Sequence, residues 1–371
     1  MHRSPQSLLS LISIVLGVFA CSAFSAEQLS NLNEEKPEKR FEVQDRTWPA
    51  NPGEAEICLW KDDKIAAVTF TVDDNCSPDV PWWLEMGDKY GIRITWFIIT
   101  KNVGGNGWGG TWELWKEVLD KGHEVQSHTH THLHNELPEW ESIAWEYTKS
   151  KSMIEENLPG TRVRVLAYPG GKNSGLNDRE VAAKTYAGAR AVTGTLVPVN
   201  LIDYMGVRAV TETSFNNPAA KWADLQRILD PADKVFRTWA ILIYHGMKDK
   251  TMDRPLFVYL QENKESLWFA TFSEASLYGQ QGDTATLKVT ENTASQIAFT
   301  LQDRMDDKVF DLPLTVKVRM PASWTTASGQ QAGNPVDVMV VEHDGARFAL
   351  VQAVPDRGPV SISATPQVAA R

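Results

Sequence analysis

The sequence predicts an α/β fold, either a β/α barrel or a doubly wound sheet, followed by a small β-sandwich, and three observations carry that expectation. Apolar runs of strand length, "IAAVTFTV" from Ile65 and "IRITWFIIT" from Ile92, are hydrophobic at successive positions, as strands buried on both faces are. Helical stretches separate such runs over roughly 200 residues, the alternation of a β/α fold. Beyond about Gly282 the period becomes two: Leu314, Val316, Val318 and Met320 alternate with Thr315, Lys317 and Arg319. That is the pattern of a half-buried antiparallel strand.

The elements follow in order. "PDVPWWLEMGDKY" and "TWELWKEVLDKG" predict helices, the second opening at a cap-like Thr111 and stopping at Gly122. "RVRVLAYP", "ARAVTG" and "WAILIYH" predict further strands, with helices at "WESIAWEYTKSKSMIEENL" and "NDREVAAKTYAG". "TATLKVT", "SQIAFTL", "VDVMVVEHDG" and "RFALVQAV" extend the antiparallel pattern, and Asp344-Gly345 predicts a hairpin turn. Residues 283–371 are enough for a small β-sandwich accessory domain after a main domain at 61–282.

Ahead of these, His2 and Arg3 precede the apolar stretch "LLSLISIVLGVFA" and the small residues "CSAFSA". That stretch is short of the roughly 20 residues a membrane-spanning helix needs, so residues 1–25 read as an export signal, with Ala23 or Ser25 closing it. The expected destination is periplasmic or secreted; a lipoprotein anchor at Cys21 is the weaker reading, because Phe19 fits poorly two positions before it. Residues 26–60, polar and Pro-containing, read as an N-terminal arm or linker. Cys58 and Cys76 are equally compatible with a disulfide and with two buried thiols. A net charge of −10 gives no cationic field for nucleic acid, and no transmembrane segment is expected.

The chemistry concentrates in "GHEVQSHTHTHLH", Gly122 to His134, which holds five of the chain's eight histidines. His128 and His132 are four apart, so one helical turn would put both rings on one side, within reach of one ion. A His-Glu-x-x-His pattern is absent, since His128 follows His123-Glu124 one residue too late. A carboxylate would complete such a site, and "TVDD" places Asp73 and Asp74 at the C-terminal end of a predicted strand, where active sites of β/α folds collect. The alternative for these aspartates is capping of the next helix. Two more strands end in chemistry: "LAYPGG" runs into a Pro-Gly-Gly turn, and "ILIYHG" ends at His245. His123 reads as a packing residue; His130 and His134 receive no role. Trp108 in the glycine-rich "GGNGWGGTW", and less strongly Trp112, read either as exposed platforms for stacking a ligand at the rim of a cleft, a sugar if the resemblance described next holds, or as packing.

"TVDD", "GHEV" with "SHTHTH", "YPGG" and "ILIYHG" together resemble, in order and spacing, the polysaccharide deacetylases, the NodB-homology family similar to carbohydrate esterase family 4. "LWFATFSEASLY" resembles the closing segment of that domain, so the resemblance covers about Lys64 to Gly279. It implies a distorted (β/α)7 barrel and a metal-dependent hydrolase that removes acetyl groups from an acetylated polysaccharide or oligosaccharide. It implies Asp73 as general base, Asp74, His128 and His132 as ligands of a divalent metal, His245 as general acid, the Gly170 amide as oxyanion donor and Tyr168 at the substrate. Zinc suits these ligands, as do cobalt, nickel and iron. Two departures stand out: Ala167 occupies the place of the family's third-motif arginine, and no Asp-and-Trp fourth motif is found. Arg208 or Asp203 are candidate substitutes. The alternative reading is a non-catalytic glycan-binding or scaffold protein on a deacetylase-like barrel.

Overall fold

The structure, a computed structural model, describes residues 46–365 except 106, 133–139, 172–175, 193, 211–217, 248 and 252–253. The export signal and most of the arm, together with His134, lie outside the described residues. Seven parallel strands form the main sheet: β2 (Ala66–Val72), β3 (Ile94–Ile98), β4 (Glu124–Ser127), β5 (Val165–Ala167), β6 (Gly188–Arg190), β7 (Trp239–Tyr244) and β8 (Leu267–Phe269). Their order is β6-β5-β4-β3-β2-β7, with β8 on the first half of β2. Single parallel bridges Arg190–Val207, Gly194–Val210 and Val210–Leu242 then connect the β6 edge to β7. The sheet therefore curls into a distorted barrel, the fold the motifs imply.

Alternation along each strand sorts side chains to two layers. Val68, Phe70 and Val72 pack outward on helix α1 (Val80–Tyr90), against Val80, Trp83 and Leu84. Each such fully buried side chain contributes roughly 2 kcal/mol by removal from water. Ala67, Phe97, Val165, Ala167, Ile241 and Ile243 belong instead to the interior cluster. Helix α2 (Trp112–Asp120) begins where expected, because the Thr111 hydroxyl accepts the Leu114 amide at 3.2 Å. Helix α3 (Trp140–Asn157) follows β4, and α4 (Leu176–Ala183), α5 (Pro218–Arg227) and α6 (Arg254–Glu262) continue the alternation. No helix among the described residues is long and apolar enough to cross a membrane.

Helix α7 (Phe272–Thr284) leads into two antiparallel sheets. One runs β1-β11-β15-β14 and the other β13-β12-β16-β10-β9, where β1 is Ala55–Ile57, β9 Thr286–Asn292, β10 Gln296–Gln302, β11 Leu314–Arg319, β12 Ala327–Gln331, β13 Asn334–Val336, β14 Val338–His343, β15 Ala346–Ala353 and β16 Val360–Ala364. Asp344 and Gly345, both with positive φ, turn β14 into β15 with His343 opposite Ala346. Strand β1 (Ala55–Ile57) comes from the segment read as an arm and pairs with β11. Paired with β1 on one edge and β15 on the other, β11 is also buried on both faces: Thr315 and Lys317, expected at the surface, are as enclosed as Val316, because Thr47, Trp48, Asp62 and Asp63 lie against them. Barrel and sandwich lie within one compact unit, Val43–Arg371, joined where the Tyr278 hydroxyl of α7 donates to the Cys58 carbonyl and accepts the Thr315 amide. Cys58 and Cys76 are both buried and form no disulfide with each other.

Candidate metal and catalytic centre

At the C-terminal ends of the barrel strands, interior-facing positions bring together Asp73 after β2, His128 after β4, Arg190 on β6 and His245 after β7. The chain leaves β2 through three successive non-glycine residues in the left-handed region, Asp74, Asn75 and Cys76 with φ of 58°, 63° and 42°. Without that corner, Asp74 would alternate away from Asp73; with it, both carboxylates reach the mouth of the barrel. Strain of this kind persists only where the surroundings hold it. Here Asn75, fully buried, accepts the Ile99 amide at 3.0 Å and donates to the Gly109 carbonyl at 3.0 Å. Neither aspartate caps the following helix, whose N-cap position is Asp79.

His128 and His132 do converge, though not through a helical turn. They lie in a loop in which Thr129 and His132 take φ of 67° and 60°, and the Thr129 hydroxyl accepts the His132 amide at 3.1 Å. Asp74 Oδ1 lies 3.4 Å from His128 Nε2 and 3.3 Å from His132 Nε2. One ligand atom from each of the three residues falls within 4.8 Å of the others. His128 Nδ1 is 2.8 Å from the Ala167 carbonyl, which can only accept, so the ring proton sits on Nδ1 and Nε2 presents its lone pair. Asp74 Oδ1 is buried with no hydrogen-bond partner. Two imidazole nitrogens and an orphaned carboxylate oxygen are the donor set a divalent ion such as zinc takes, so the residues fit a metal. Burial works to raise the Asp74 carboxyl, yet in the absence of an ion His128 first, then His132 and His245, outweigh it when their rings carry a second proton, and bring the pKa down to about 2.

Asp73 lies deeper, 3% exposed. One oxygen, Oδ2, accepts a hydrogen bond from the Arg190 guanidinium, while Oδ1 is buried without a partner. His245 Nε2 stands 4.0 Å from Asp73 Oδ2 and 3.7 Å from Asp74 Oδ2. Arg190 answers the missing third-motif arginine. It is 1% exposed, its guanidinium stacks 5.2 Å from the Phe97 ring centre, and its register partner on β5 is Ala167. The small side chain at 167 leaves the space that the arginine fills from the neighbouring strand. The suggested substitutes lie elsewhere: Asp203 pairs with Arg179, and Arg208 is exposed beside Gly194. The available sequence signal was a lone arginine inside the apolar strand "ARAVTG".

Other supports escaped the sequence. Asp79 accepts the Met247 amide at 2.8 Å and pairs with Lys250 at 2.9 Å, fixing the loop after His245. Glu146, buried on α3, accepts the His130 and Thr131 amides at 3.0 and 2.8 Å and the Thr131 hydroxyl at 2.9 Å. It thereby pins the segment between the two histidine ligands. Burial, opposed by Glu146 and helped by Lys149 and Lys101, holds the His130 imidazole below its ordinary range. His123 is a packing residue: Nδ1 accepts the Ile94 amide at 3.0 Å, and the ring lies so close to Gly87 that a Cβ there would meet it at 2.6 Å.

Gly170 sits in the Pro-Gly-Gly turn after β5 with φ of 63°, exposed on the same end of the barrel. Trp108 is 53% exposed and overhangs Gly246, where a Cβ would come within 2.6 Å of the indole. Trp112 is half-buried against the core between sheet and helices. Tyr168, expected at the substrate, is buried, and its hydroxyl donates to the Met205 carbonyl at 3.1 Å, so the ring has no face for a sugar.

Residues 61–192 match the polysaccharide deacetylase family. A gellan lyase from a Bacillus species is 33% identical over 353 residues, an alignment covering 88% of this chain and 14% of the relative. The chain thus spans about one seventh of that protein's length. Among solved structures, a putative polysaccharide deacetylase from Mycobacterium smegmatis aligns at 17% identity and a TM-score of 0.45, covering 62% of this chain and 93% of the other. The Xyl-CE4 domain of a multidomain xylanase from the hindgut metagenome of Trinervitermes trinervoides aligns at 19% identity and a TM-score of 0.40, covering 57% and 89%.

Proposed function

We propose, from the match of residues 61–192 to the polysaccharide deacetylase family, that the chain hydrolyses acetyl groups from a polysaccharide with the help of a divalent metal. The observation that supports this most is the meeting of Asp73, Asp74, His128, His132 and His245 at one end of the barrel, with two carboxylate oxygens left without partners. Asp74, His128 and His132 hold the ion, which when bound supplies a Lewis acid for the acetyl carbonyl and lowers the pKa of water. Zinc is our first choice, with cobalt, nickel or iron compatible with the same ligands.

Each side chain has a separate task. Arg190 fixes Asp73 through Oδ2, which leaves Oδ1 to take the proton of the attacking water. The Gly170 amide donates to the oxygen of the acetyl carbonyl as negative charge develops on it. His245 protonates the departing sugar oxygen or nitrogen. The same tasks serve an N-acetyl amide and an O-acetyl ester, so the distinction rests with the shape of the sugar site. Trp108, projecting over Gly246 beside His245, offers a ring face to a bound sugar. We also propose that the protein acts outside the cytoplasm, in the periplasm or secreted, on the strength of the N-terminal signal pattern.

The test is acetate release from a panel of N- and O-acetylated glycans by the metal-reconstituted protein beside Asp73→Asn. Release by the wild type alone is expected. Equal release by both proteins, or none from any glycan by metal-loaded wild type, would contradict the reading.

A further inference from the structure

One feature of the site's rim is absorbed by none of these tasks. Trp145, on α3, is 52% exposed and meets His130 edge to face, with ring centres 5.2 Å apart at 90°. His130 lies between the two histidine ligands, with Nδ1 held 2.9 Å from the Thr100 hydroxyl. The next residue along α3 is Glu146, whose three hydrogen bonds grip the same loop. The indole is therefore mounted rigidly with respect to Asp74, His128 and His132, and an exposed ring so mounted loses little entropy on meeting a ligand.

Two lysines stand near this ring. Lys149 is one helical turn beyond Trp145 on the same face, and the Lys101 amide donates to the His130 carbonyl at 2.9 Å. Lys101 and Lys149 enter no ion pair among the described residues. In a chain of net charge −10, two uncompensated ammonium groups beside an exposed indole select for an anion with an apolar face.

We propose that Trp145, His130, Lys101 and Lys149 form a subsite for a uronate residue of an acidic polysaccharide. The indole takes the sugar's C–H face and the ammonium groups its carboxylate. Strand order puts this subsite on the β4 side of β2, whereas Trp108 over Gly246 lies on the β7 side. A polymer laid across the metal ligands thus meets an indole on each flank, which suits action within a chain rather than at its end. The proposal rests on the deacetylase reading for its substrate.

The experiment is affinity electrophoresis of full-length, zinc-loaded Asp73→Asn through gels containing polygalacturonate or its carboxyl-reduced neutral counterpart. Trp145→Ala and the double variant Lys101→Ala/Lys149→Ala are run in the same background. Retardation by polygalacturonate alone, weakened about tenfold by either change, is expected. Equal retardation by both polymers, or unchanged retardation in both variants, would overturn the subsite. Circular dichroism of each variant separates loss of binding from loss of fold. Carboxylate-dependent retardation without acetate release by the wild type would remove the deacetylase reading and keep the subsite; acetate release indifferent to carboxylates would remove only the subsite.

Discussion

Two buried aspartates stand at opposite ends of the same strand, Asp63 ahead of β2 and Asp73 after it, and they are buried to nearly the same degree, 2% and 3% exposed. Their surroundings differ in one respect. Asp63 accepts from Arg46 Nε at 2.7 Å and Lys317 Nζ at 2.8 Å, and Lys317 turns also to Glu56 at 2.8 Å and to the Thr47 carbonyl at 2.6 Å. No atom of that cluster is orphaned. At the other end, Asp73 has one satisfied oxygen and its neighbour Asp74 has a buried oxygen with no partner; left-handed backbone occurs at both ends, at Asp62 and Asp63 as at Asp74 to Cys76, and does not separate them. Buried charge that is complete within the chain joins barrel to sandwich; buried charge left incomplete waits for a ligand.

That contrast can be broken in order of effect. Asp73→Asn should lower acetate release about 10³-fold, the scale of a lost general base, and should cost about 1–3 kcal/mol in urea unfolding, because the buried Arg190 guanidinium keeps an acceptor but loses its countercharge; turnover retained would reverse the assignment of the two ends. Lys317→Met should affect stability alone. It leaves the Asp63 and Glu56 carboxylates short of a cation and should cost about 3 kcal/mol in urea unfolding, with turnover per folded molecule unchanged. Between them lies Arg190→Ala, for which we expect kcat to fall about 10²-fold. Adding Ala167→Arg, which restores a guanidinium from the register partner, should recover part of the loss; no recovery would mean that Arg190 does more than position Asp73.

The smallest effect concerns pH. Burial brings the His123 imidazole down to about 4 from an ordinary 6.5. The unfolded chain therefore binds more protons between those values, and stability falls as pH drops through that window. The loss should reach about 2 kcal/mol at pH 5 relative to neutrality. His123→Gln, which keeps an acceptor for the Ile94 amide without a titrating ring, should flatten the slope measured by urea unfolding from pH 8 to 5.

What the sequence made legible follows the same division. Asp73, Asp74, His128, His132 and His245 were readable because chemistry needs those side chains at strand ends within short motifs, and the helix start at Thr111 and the hairpin at Asp344-Gly345 because caps and turns are local. Arg190 was not, since it reaches Asp73 from a strand 117 residues away and replaces an arginine expected on the adjacent strand. Lys317 was read as a surface residue because period-two alternation reports only one buried face. It could not announce that Thr47 and Trp48, drawn from the apparent arm, with Asp62 and Asp63 cover the other. Tyr168 fits a motif yet faces the Met205 carbonyl, a contact that depends on a loop 37 residues further on.

The most direct measurement is the number of divalent ions per chain, by mass spectrometry of purified protein after equilibration with zinc, in wild type, Asp74→Asn and Lys317→Met. One ion in the wild type and in Lys317→Met, and none in Asp74→Asn, is the predicted result. An ion retained by Asp74→Asn, or none held by the wild type, would contradict the account.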